Sequence, residues 1–574
     1  MARLGKYMKR YVWQMLVVFG LVFVSAMADL QLPDYMSKIV NEGITGQNLD
    51  LIFETGLMML GVALLSMACT ICVSYLASQI AAGFARDLRL AIFSKVEGFS
   101  LAEYDRFSTA SLITRSTNDI QQIQMVLVML LRMVLSAPIM GVGAILKALG
   151  KSSGMSWITI ISVGAISALM VFLFVFVMPK FKSLQKLVDR LNLVTRENLT
   201  GLRVIRAFNT EAHEEKRFDG VNKDLTKINL FINRMMSLLF PAMMLIMNIT
   251  CLGIIWVGSQ LVDTGGIMIG DMMAFMQYTI QVIMSFLIVS FIFIFIPRAA
   301  VSAGRIADVL EAPAILLDPD SPVTEFPKKG LVEFKNVTFK YGGADLPVLS
   351  DISFTANPGE TTAIIGSTGS GKSTLVNLIP RLYDASSGQV LVDGVDVRET
   401  SQSILHDLIG YVPQMGVLFS GTVASNIKYG YEHATDEQMI RAAKIAQAYD
   451  FIDNLDEKFN TPIAQGGTNV SGGQKQRLSI ARAILKNPEI YIFDDSFSAL
   501  DFKTDARLRE TLAKEITATV IIVAQRISTI LNADKIIVLD SGKIVGIGRH
   551  HELLKSCGVY YEIASSQLSE EELV

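Results

Sequence analysis

Cysteine is scarce, with 4 in 574 residues. Cys251 and Cys557 stand alone, while Cys69 and Cys72 lie one helical turn apart in an apolar run. That spacing suits helix packing better than redox or metal chemistry, and nothing suggests a disulfide framework. An excess of positive charge is also lacking. Lys and Arg number 51 against 54 Asp and Glu, a formal net charge of −3. No basic field therefore argues for a nucleic-acid partner. Long low-complexity tracts are absent too. What the chain has in quantity is apolar residues. Mean hydropathy is +0.42, and the apolar residues cluster before Pro297. The length exceeds what one ordinary core organises, so several domains are expected.

Six apolar segments, near 12–34, 52–80, 126–149, 156–180, 235–262 and 270–297, each suffice to cross a bilayer at roughly 20 residues per span. They come in pairs joined by the short links NEGITGQNLD, GKSSGM and VDTGGIMIGD, which are expected outside. The connections between pairs are long and polar, hence expected inside. MARLGKYMKR is basic, and Ser25-Ala26-Met27-Ala28 mimics a signal-peptidase site. We read the stretch instead as a first membrane helix with a cytoplasmic basic end. The polar connections 81–99 and 181–209 still read as helices, so the spans should extend well beyond the membrane.

After about residue 315 the pattern changes. Asp318, Pro319, Asp320, Ser321 and Pro322 mark a linker. Beyond it, the β-branched runs LVEFKNVTF, TTAIIG, QVLVDG, IYIFDD, TVIIVAQ and KIIVLD alternate with helical stretches. Such alternation predicts an α/β domain with a mainly parallel sheet. The expected division is a six-helix all-α membrane domain over 1–310, a linker over 311–330, and an α/β domain over 331–574.

Gly366-Ser367-Thr368-Gly369-Ser370-Gly371-Lys372-Ser373 follows a predicted strand and, with Thr374, opens a helix. This is the P-loop pattern in its required context. Backbone N–H groups would cradle phosphate oxygens of ATP, Lys372 would meet the terminal phosphates, and Ser373 would offer its hydroxyl to Mg²⁺. Asp494, at the end of an apolar strand, is placed to hold the same ion.

Ser471-Gly472-Gly473-Gln474, followed by KQRLS and the helix leading to Asp494, narrows the field. Here the sequence resembles the ATP-binding cassette (ABC) family, whose signature motif contacts the ATP held by a partner subunit's P-loop. The resemblance implies further roles. Tyr341 would stack on adenine. Gln414 would reach Mg²⁺ and sense the membrane domain. Ser498-Ala499-Leu500-Asp501 would form the D-loop at a dimer interface. The resemblance covers the first half as well. YDRFSTASLITRSTND (104–119) and ENLTGLRVIRAF (197–208) match the two cytoplasmic loops of ABC exporters, each with a short coupling helix. The second such helix is expected near 209–218.

Two departures stand out. Asp495 occupies the place of the family's catalytic glutamate and is shorter by one methylene, about 1.5 Å of reach. A misplacement of about 1 Å can cost on the order of a hundredfold in rate. Gln525, in VIIVAQRIS, stands where the family has its switch histidine, and glutamine carries no proton or charge. A weaker change is TPIAQGG (461–467), where Gln465 and Gly466 replace an expected Glu-Arg pair. The chain thus keeps ATP-binding residues, alters hydrolytic ones and retains an intact signature. That asymmetry resembles one half of a bacterial heterodimeric multidrug exporter. It implies a second half-transporter as partner, a location in the cytoplasmic membrane, and a hydrophobic small-molecule substrate. Methionines 235, 236, 243, 244, 247, 272, 273, 276 and 284, with phenylalanines 286, 291, 293 and 295, suit an adaptable apolar pocket, although packing accounts for any single one. Gln277 and Gln281 could face a cavity or a neighbouring helix. Asp29 and Asp34 are expected at the outer water interface. The residues before the first span leave no room for a peptidase domain, which disfavours a peptide-processing exporter.

Overall fold

The computed structural model describes residues 2–152 and 154–569. The side chains of Ala2, Lys182, residues 290–294 and Pro297 are outside the described set, so the expectations for Phe291 and Phe293 are not addressed. The chain divides into two compact units. One comprises residues 1–97 and 109–311, the other residues 98–108 and 312–574.

Among the described residues, the regular elements of the first unit are all helices, joined by short turns. Six helices among the described residues are long and apolar enough to cross a membrane: Gly5–Ile44, Leu49–Glu97, Thr109–Lys151, Ser156–Thr200, Glu211–Asp263 and Ile269–Val289. The last is the start of a helix that runs to Leu310. Helical hydrogen bonding satisfies every backbone group within the segment, which lipid demands. At 1.5 Å per residue the 49-residue helix Leu49–Glu97 is about 70 Å long, more than twice the hydrocarbon thickness. Such helices carry the bundle far out of the bilayer. Cys69 is buried and Cys72 exposed on this helix, both as free thiols.

Polar groups tie helices of this unit together. Lys147 Nζ lies 2.7 Å from Asp34 Oδ2, and Lys151 Nζ lies 3.2 Å from Asp34 and 2.9 Å from Asp271. Ser37 Oγ donates to Asp271 at 2.8 Å, and Asn41 Oδ1 accepts from the Gly270 amide at 2.7 Å. Asp34 is therefore part of a cross-linked charge cluster at helix ends, more than a residue facing water. Asp29 accepts from Ser66 at 2.6 Å. Most of the expected pocket methionines pack inside the unit. Met243 is buried with Ile166 and Ile283, and Met247 packs on them. Met235 and Met236 pack on Leu173, Val177 and Ile232. Met272 and Met276 cover Phe275 and Tyr278. Met244 and Met284 are exposed. Gln277 is exposed, whereas Gln281 Oε1 is buried without a partner.

The short helix of the second loop lies earlier than expected. It spans Leu202–Phe208, and Asn209 in the left-handed region ends it. Glu211 then begins the next long helix, with Glu211 and Glu214 in its favourable first turn. Residues 211–218 therefore belong to the long helix. The short helix buries none of its own side chains, and Leu202, Val204 and Phe208 are all more than half exposed.

The first-loop helix, Leu101–Phe107, has a capping box from Ser100 and Glu103 and belongs to the second unit. Glu103 Oε1 accepts the Ile315 amide at 2.7 Å, and Tyr383 donates to Asp105 at 3.4 Å. The remainder of this unit is an α/β fold, with three sheets among the described residues. An antiparallel sheet has the order β2-β1-β4-β5, with β1 Val332–Phe339, β2 Leu349–Ala356, β4 Ser387–Val392 and β5 Val395–Asp396. A two-strand ladder pairs β7 Gly421–Thr422 with β8 Pro462–Ile463. The main sheet has the order β12-β11-β3-β10-β9-β6. Its strands are β3 Thr361–Gly366, β6 Ile409–Val412, β9 Ile490–Asp494, β10 Thr519–Val523, β11 Lys535–Asp540 and β12 Lys543–Gly548. All its pairings are parallel except β11–β12. β9 and β10 are buried at every position, as the central strands of a sheet covered on both faces should be.

Where the β4–β5 turn meets β9, burial and the neighbouring Glu489 carboxylate hold Asp393 up at about 6. Its Oδ1 accepts the Leu331 amide at 2.8 Å. A carboxyl raised above its ordinary value contributes stability at low pH and loses it as pH rises through about 6. Asp393→Asn keeps the acceptor for Leu331 and tolerates the left-handed backbone there. It is expected to raise the thermal midpoint of the purified protein by a few degrees at pH 7.5, with the gain fading towards pH 4–5, as checked by fluorescence-monitored unfolding.

Candidate nucleotide site

Parallel pairing brings four chain segments to one edge of the main sheet. The loop after β3 supplies residues 367–371, the end of β9 supplies Asp494 and Asp495, the end of β10 leads to Gln525, and the stretch after β6 holds Gln414. Ligands in open α/β sheets sit at this carboxyl edge.

The loop after β3 requires its glycines. Gly369 and Gly371 have φ of 83° and 96°. A Cβ on Gly366 would collide with the Leu539 carbonyl, and one on Gly371 would lie 2.8 Å from Leu349. The helix Lys372–Asn377 starts directly behind. Lys372 Nζ turns back to the carbonyls of Gly366 and Ser367, at 2.9 and 2.8 Å. Burial pushes this ammonium below its ordinary range, against the pull of Asp495 and Asp494. A terminal phosphate at this place would favour the charged form of the buried ammonium. Ser370 Oγ is also buried without a hydrogen-bond partner.

Ser373 Oγ donates to Asp494 Oδ1 at 2.9 Å. Burial raises the Asp494 carboxyl, and Asp495 adds to the rise. A divalent cation would reverse this by favouring the carboxylate. A hydroxyl and a buried carboxylate in contact fit an oxygen-preferring ion such as Mg²⁺, which takes few protein ligands and completes its shell with phosphate and water. Asp494 and Ser373 would hold it, and the ion would supply positive charge against that of the phosphates.

Asp495 differs from its neighbour. Its backbone turns into the left-handed region at φ 47°, and its N–H donates to the Val523 carbonyl at 3.0 Å. Oδ2 accepts two amides, Gln525 Nε2 at 2.8 Å and Gln414 Nε2 at 3.2 Å. Burial raises this carboxyl, while Gln414 and Ser498 act in the other direction. The structure thus brings Asp495, Gln525 and Gln414 into one hydrogen-bonded set.

Tyr341 hydrogen-bonds through its hydroxyl to Thr374 Oγ1 at 3.0 Å and meets Tyr383 edge-on at 5.3 Å. Ser471 caps the helix Gly472–Lys486. Its amide donates to Gln474 Oε1 at 2.9 Å, and its Oγ accepts the Gln474 amide at 3.3 Å. Ser471 and Gly472 are exposed, and a Cβ on Gly473 would come 3.1 Å from the Ala499 carbonyl. Ser498 and Ala499 are exposed, Leu500 is buried, and Asp501 caps the helix Phe502–Glu515 through the Thr504 amide. In the 461–467 segment, Gly466 has φ 64°, a conformation that suits glycine better than the arginine expected there. Sequence reasoning missed Gln476, which donates to the Pro413 carbonyl at 3.0 Å beside Gln414. It also missed Gln567, which bonds to the backbone at Gln525 and Ile527. Gln476 lies within the quoted KQRLS stretch but was given no role there, and Gln567 belongs to no motif with a recognisable spacing.

The fold and this carboxyl-edge site define a P-loop nucleotide-binding ATPase joined to a six-helix membrane domain. Residues 15–286 match the ABC transporter transmembrane region and residues 349–498 match the ABC transporter domain. An uncharacterized ABC transporter ATP-binding protein of Mycobacterium tuberculosis is 43% identical over 99% of this chain and 98% of its own length. An ATP-dependent lipid A-core flippase of Syntrophus aciditrophicus is 34% identical over 88% of this chain and 83% of its own length. Among solved structures, a bacterial Atm1-family ABC exporter with ATP bound superposes with a TM-score of 0.79 at 26% identity, covering 98% of this chain and 99% of that one. The chain belongs to the ABC transporter family, as an exporter-type half-transporter with fused membrane and ATP-binding domains. It is a multi-pass membrane protein with its ATPase domain on the cytoplasmic side.

Replacing Lys372 by Ala removes a buried cation without breaking an ion pair. The expected outcome is a thermal midpoint unchanged or slightly raised without nucleotide, and loss of the stabilisation that MgATP confers on the parent protein. Differential scanning fluorimetry with and without MgATP checks both.

Proposed function

We propose that this chain is one subunit of an ATP-driven exporter of hydrophobic or amphipathic compounds, drugs among them. Its own P-loop site binds ATP and hydrolyses it slowly. Its Ser471–Gln474 signature completes a faster site on a second half-transporter, which supplies the glutamate and histidine that this chain replaces.

The observation that carries this reading is the Asp495–Gln525 hydrogen bond of 2.8 Å. A general base must take a proton from the attacking water and pass it on. Asp495 is one methylene short of glutamate, and one of its oxygens already accepts two neutral amides. Gln525 can donate a hydrogen bond but cannot carry charge. Binding, by contrast, needs only the loop amides, Lys372, Ser373 and Asp494, and these are in place. ATP would favour closure of paired nucleotide domains and shift the membrane bundle from inward to outward facing, with hydrolysis at the faster site resetting it.

A lipid exporter of the same fold is the second reading. What favours it is the 34% identity to a protein named as a lipid A-core flippase. A peptide exporter, an importer on the same fold, and an ATP-binding regulatory subunit that moves no substrate are separated from these by flux into or out of reconstituted vesicles and by which compounds stimulate ATPase activity.

Two measurements test the proposal. ATPase activity of the chain purified alone is expected to be low. Activity with its co-expressed partner should be brisk, and abolished when the partner's catalytic glutamate is changed. Brisk activity from a verified homodimer would overturn the asymmetric reading. Asp495→Glu combined with Gln525→His should raise hydrolysis at this site about tenfold or more, read as vanadate-trapped nucleotide on this chain. Unchanged trapping would show that these two positions do not set the rate.

A further inference from the structure

Gln525 is held from two sides. Its side chain reaches Asp495, while its backbone carbonyl accepts from Gln567 Nε2 at 2.9 Å. The same Gln567 accepts the Ile527 amide on its Oε1 at 2.8 Å. One amide side chain thus pairs with an acceptor and a donor two residues apart, as an adjacent β-strand would. Between them, Arg526 donates to the Ser498 carbonyl at 3.3 Å and stacks over Phe502 at 4.8 Å. The loop from Gln525 to Ile527 therefore joins β10 to both Asp495 and the Ser498–Asp501 segment.

Gln567 is presented from an anchored element. It follows the helix Gly558–Ser565, which buries Tyr560 and Ala564. Tyr560 pairs with His550 Nδ1 at 2.8 Å, Leu568 packs against the core, and the Gln567 amide donates to the Ala564 carbonyl at 3.0 Å. Immobilising a glutamine costs rotamer entropy comparable to what two partly exposed hydrogen bonds return. The clasp therefore adds little to stability, and its consequence is positional.

We propose that Gln567 is a positioning residue for the ATP site: it fixes the backbone of residues 525–527 so that the Gln525 amide meets Asp495, and so couples the C-terminal turn to the hydrolytic side of the site. The proposal rests on the assignment of Asp495 and Gln525 to that side. It does not depend on whether hydrolysis there is slow or fast.

The test uses the full-length chain, in the assembly in which it purifies, in lipid nanodiscs with MgATP. Hydrogen exchange and turnover at this chain's own site, followed as vanadate-trapped nucleotide on this chain, are measured for Q567A, Q525A and the double variant, and kcat and KM below refer to that site. Exchange at the Ile527 amide is expected to rise about fivefold or more in Q567A, with β10 unchanged. The KM for ATP should stay within about twofold of the parent. The kcat of Q567A should match that of Q525A, and the double variant should match either single one, because residues acting through one another are not additive. Q567E keeps an acceptor for the Ile527 amide and loses the donor to the Gln525 carbonyl. It should preserve exchange protection at Ile527 while reproducing the kcat of Q567A. Unchanged exchange at Ile527 in Q567A would overturn the proposal, as would kcat effects that multiply in the double variant. The degenerate-site reading is tested by D495E and Q525H, so its failure would leave these readouts intact.

Discussion

The parallel register of β3, β10, β9 and β6 is the constraint on which the site depends. Because the four strands run the same way, their carboxyl ends share one edge, and the loops leaving them meet there. Val523 pairs with Ile364 and with Asp494, and Val412 pairs with Phe493. Gln525, the P-loop, the two aspartates and Gln414 are therefore neighbours, although more than 150 residues separate Gly366 from Gln525. A slip of one residue in β9 would put Asp495 or Phe493 in the place of Asp494. Complete burial of β9 and β10 makes such a slip costly, since every side chain would change faces.

The same register explains why adjacent acids do different things. Asp494 is the last strand residue, and its side chain meets Ser373 on the P-loop helix. At Asp495 the backbone enters the left-handed region, and the side chain turns towards the ends of β10 and β6, where the two glutamines donate to it. Burial raises both carboxyls, but their partners differ in kind. A hydroxyl leaves room for a shared cation, whereas two amides occupy an oxygen that a base would use.

Much of this was legible in the sequence, and the reasons are physical. The six apolar segments are long enough to identify themselves, because lipid tolerates little else. The P-loop announces itself because its glycines are required by φ and by close approach of Leu539 and Leu349. The runs at β1, β3, β4, β9, β10 and β11 read as strands, whereas β2, β6 and β12 did not stand out. β2 alternates polar and apolar residues on a partly exposed sheet, β6 has four residues, and β12 is a half-exposed edge strand with two glycines. The short helix at Leu202–Phe208 was misplaced by several residues. Its end is set by one left-handed asparagine, and glutamates after it read equally well in either helix. The Asp34–Lys147–Lys151–Asp271 cluster was invisible for another reason: its members come from three helices, and sequence separation hides their proximity.

The hydrogen bonds around Gln525 show the limit most clearly. A substitution of histidine by glutamine can be read from a motif, but its effect depends on what the new amide touches. Here it touches Asp495, and a second glutamine from the C-terminal turn holds the backbone beneath it. Three neutral amides, from Gln414, Gln525 and Gln567, thus converge on the segment between the shortened acid and the switch position. None can transfer a proton, yet all can fix geometry. On the reading proposed above, such a site would keep the shape that grips ATP while lacking a group that can pass on a proton. Because Gln525 donates directly to Asp495, the two positions are coupled, and on the proposed reading a change at one alone leaves the other's contribution absent.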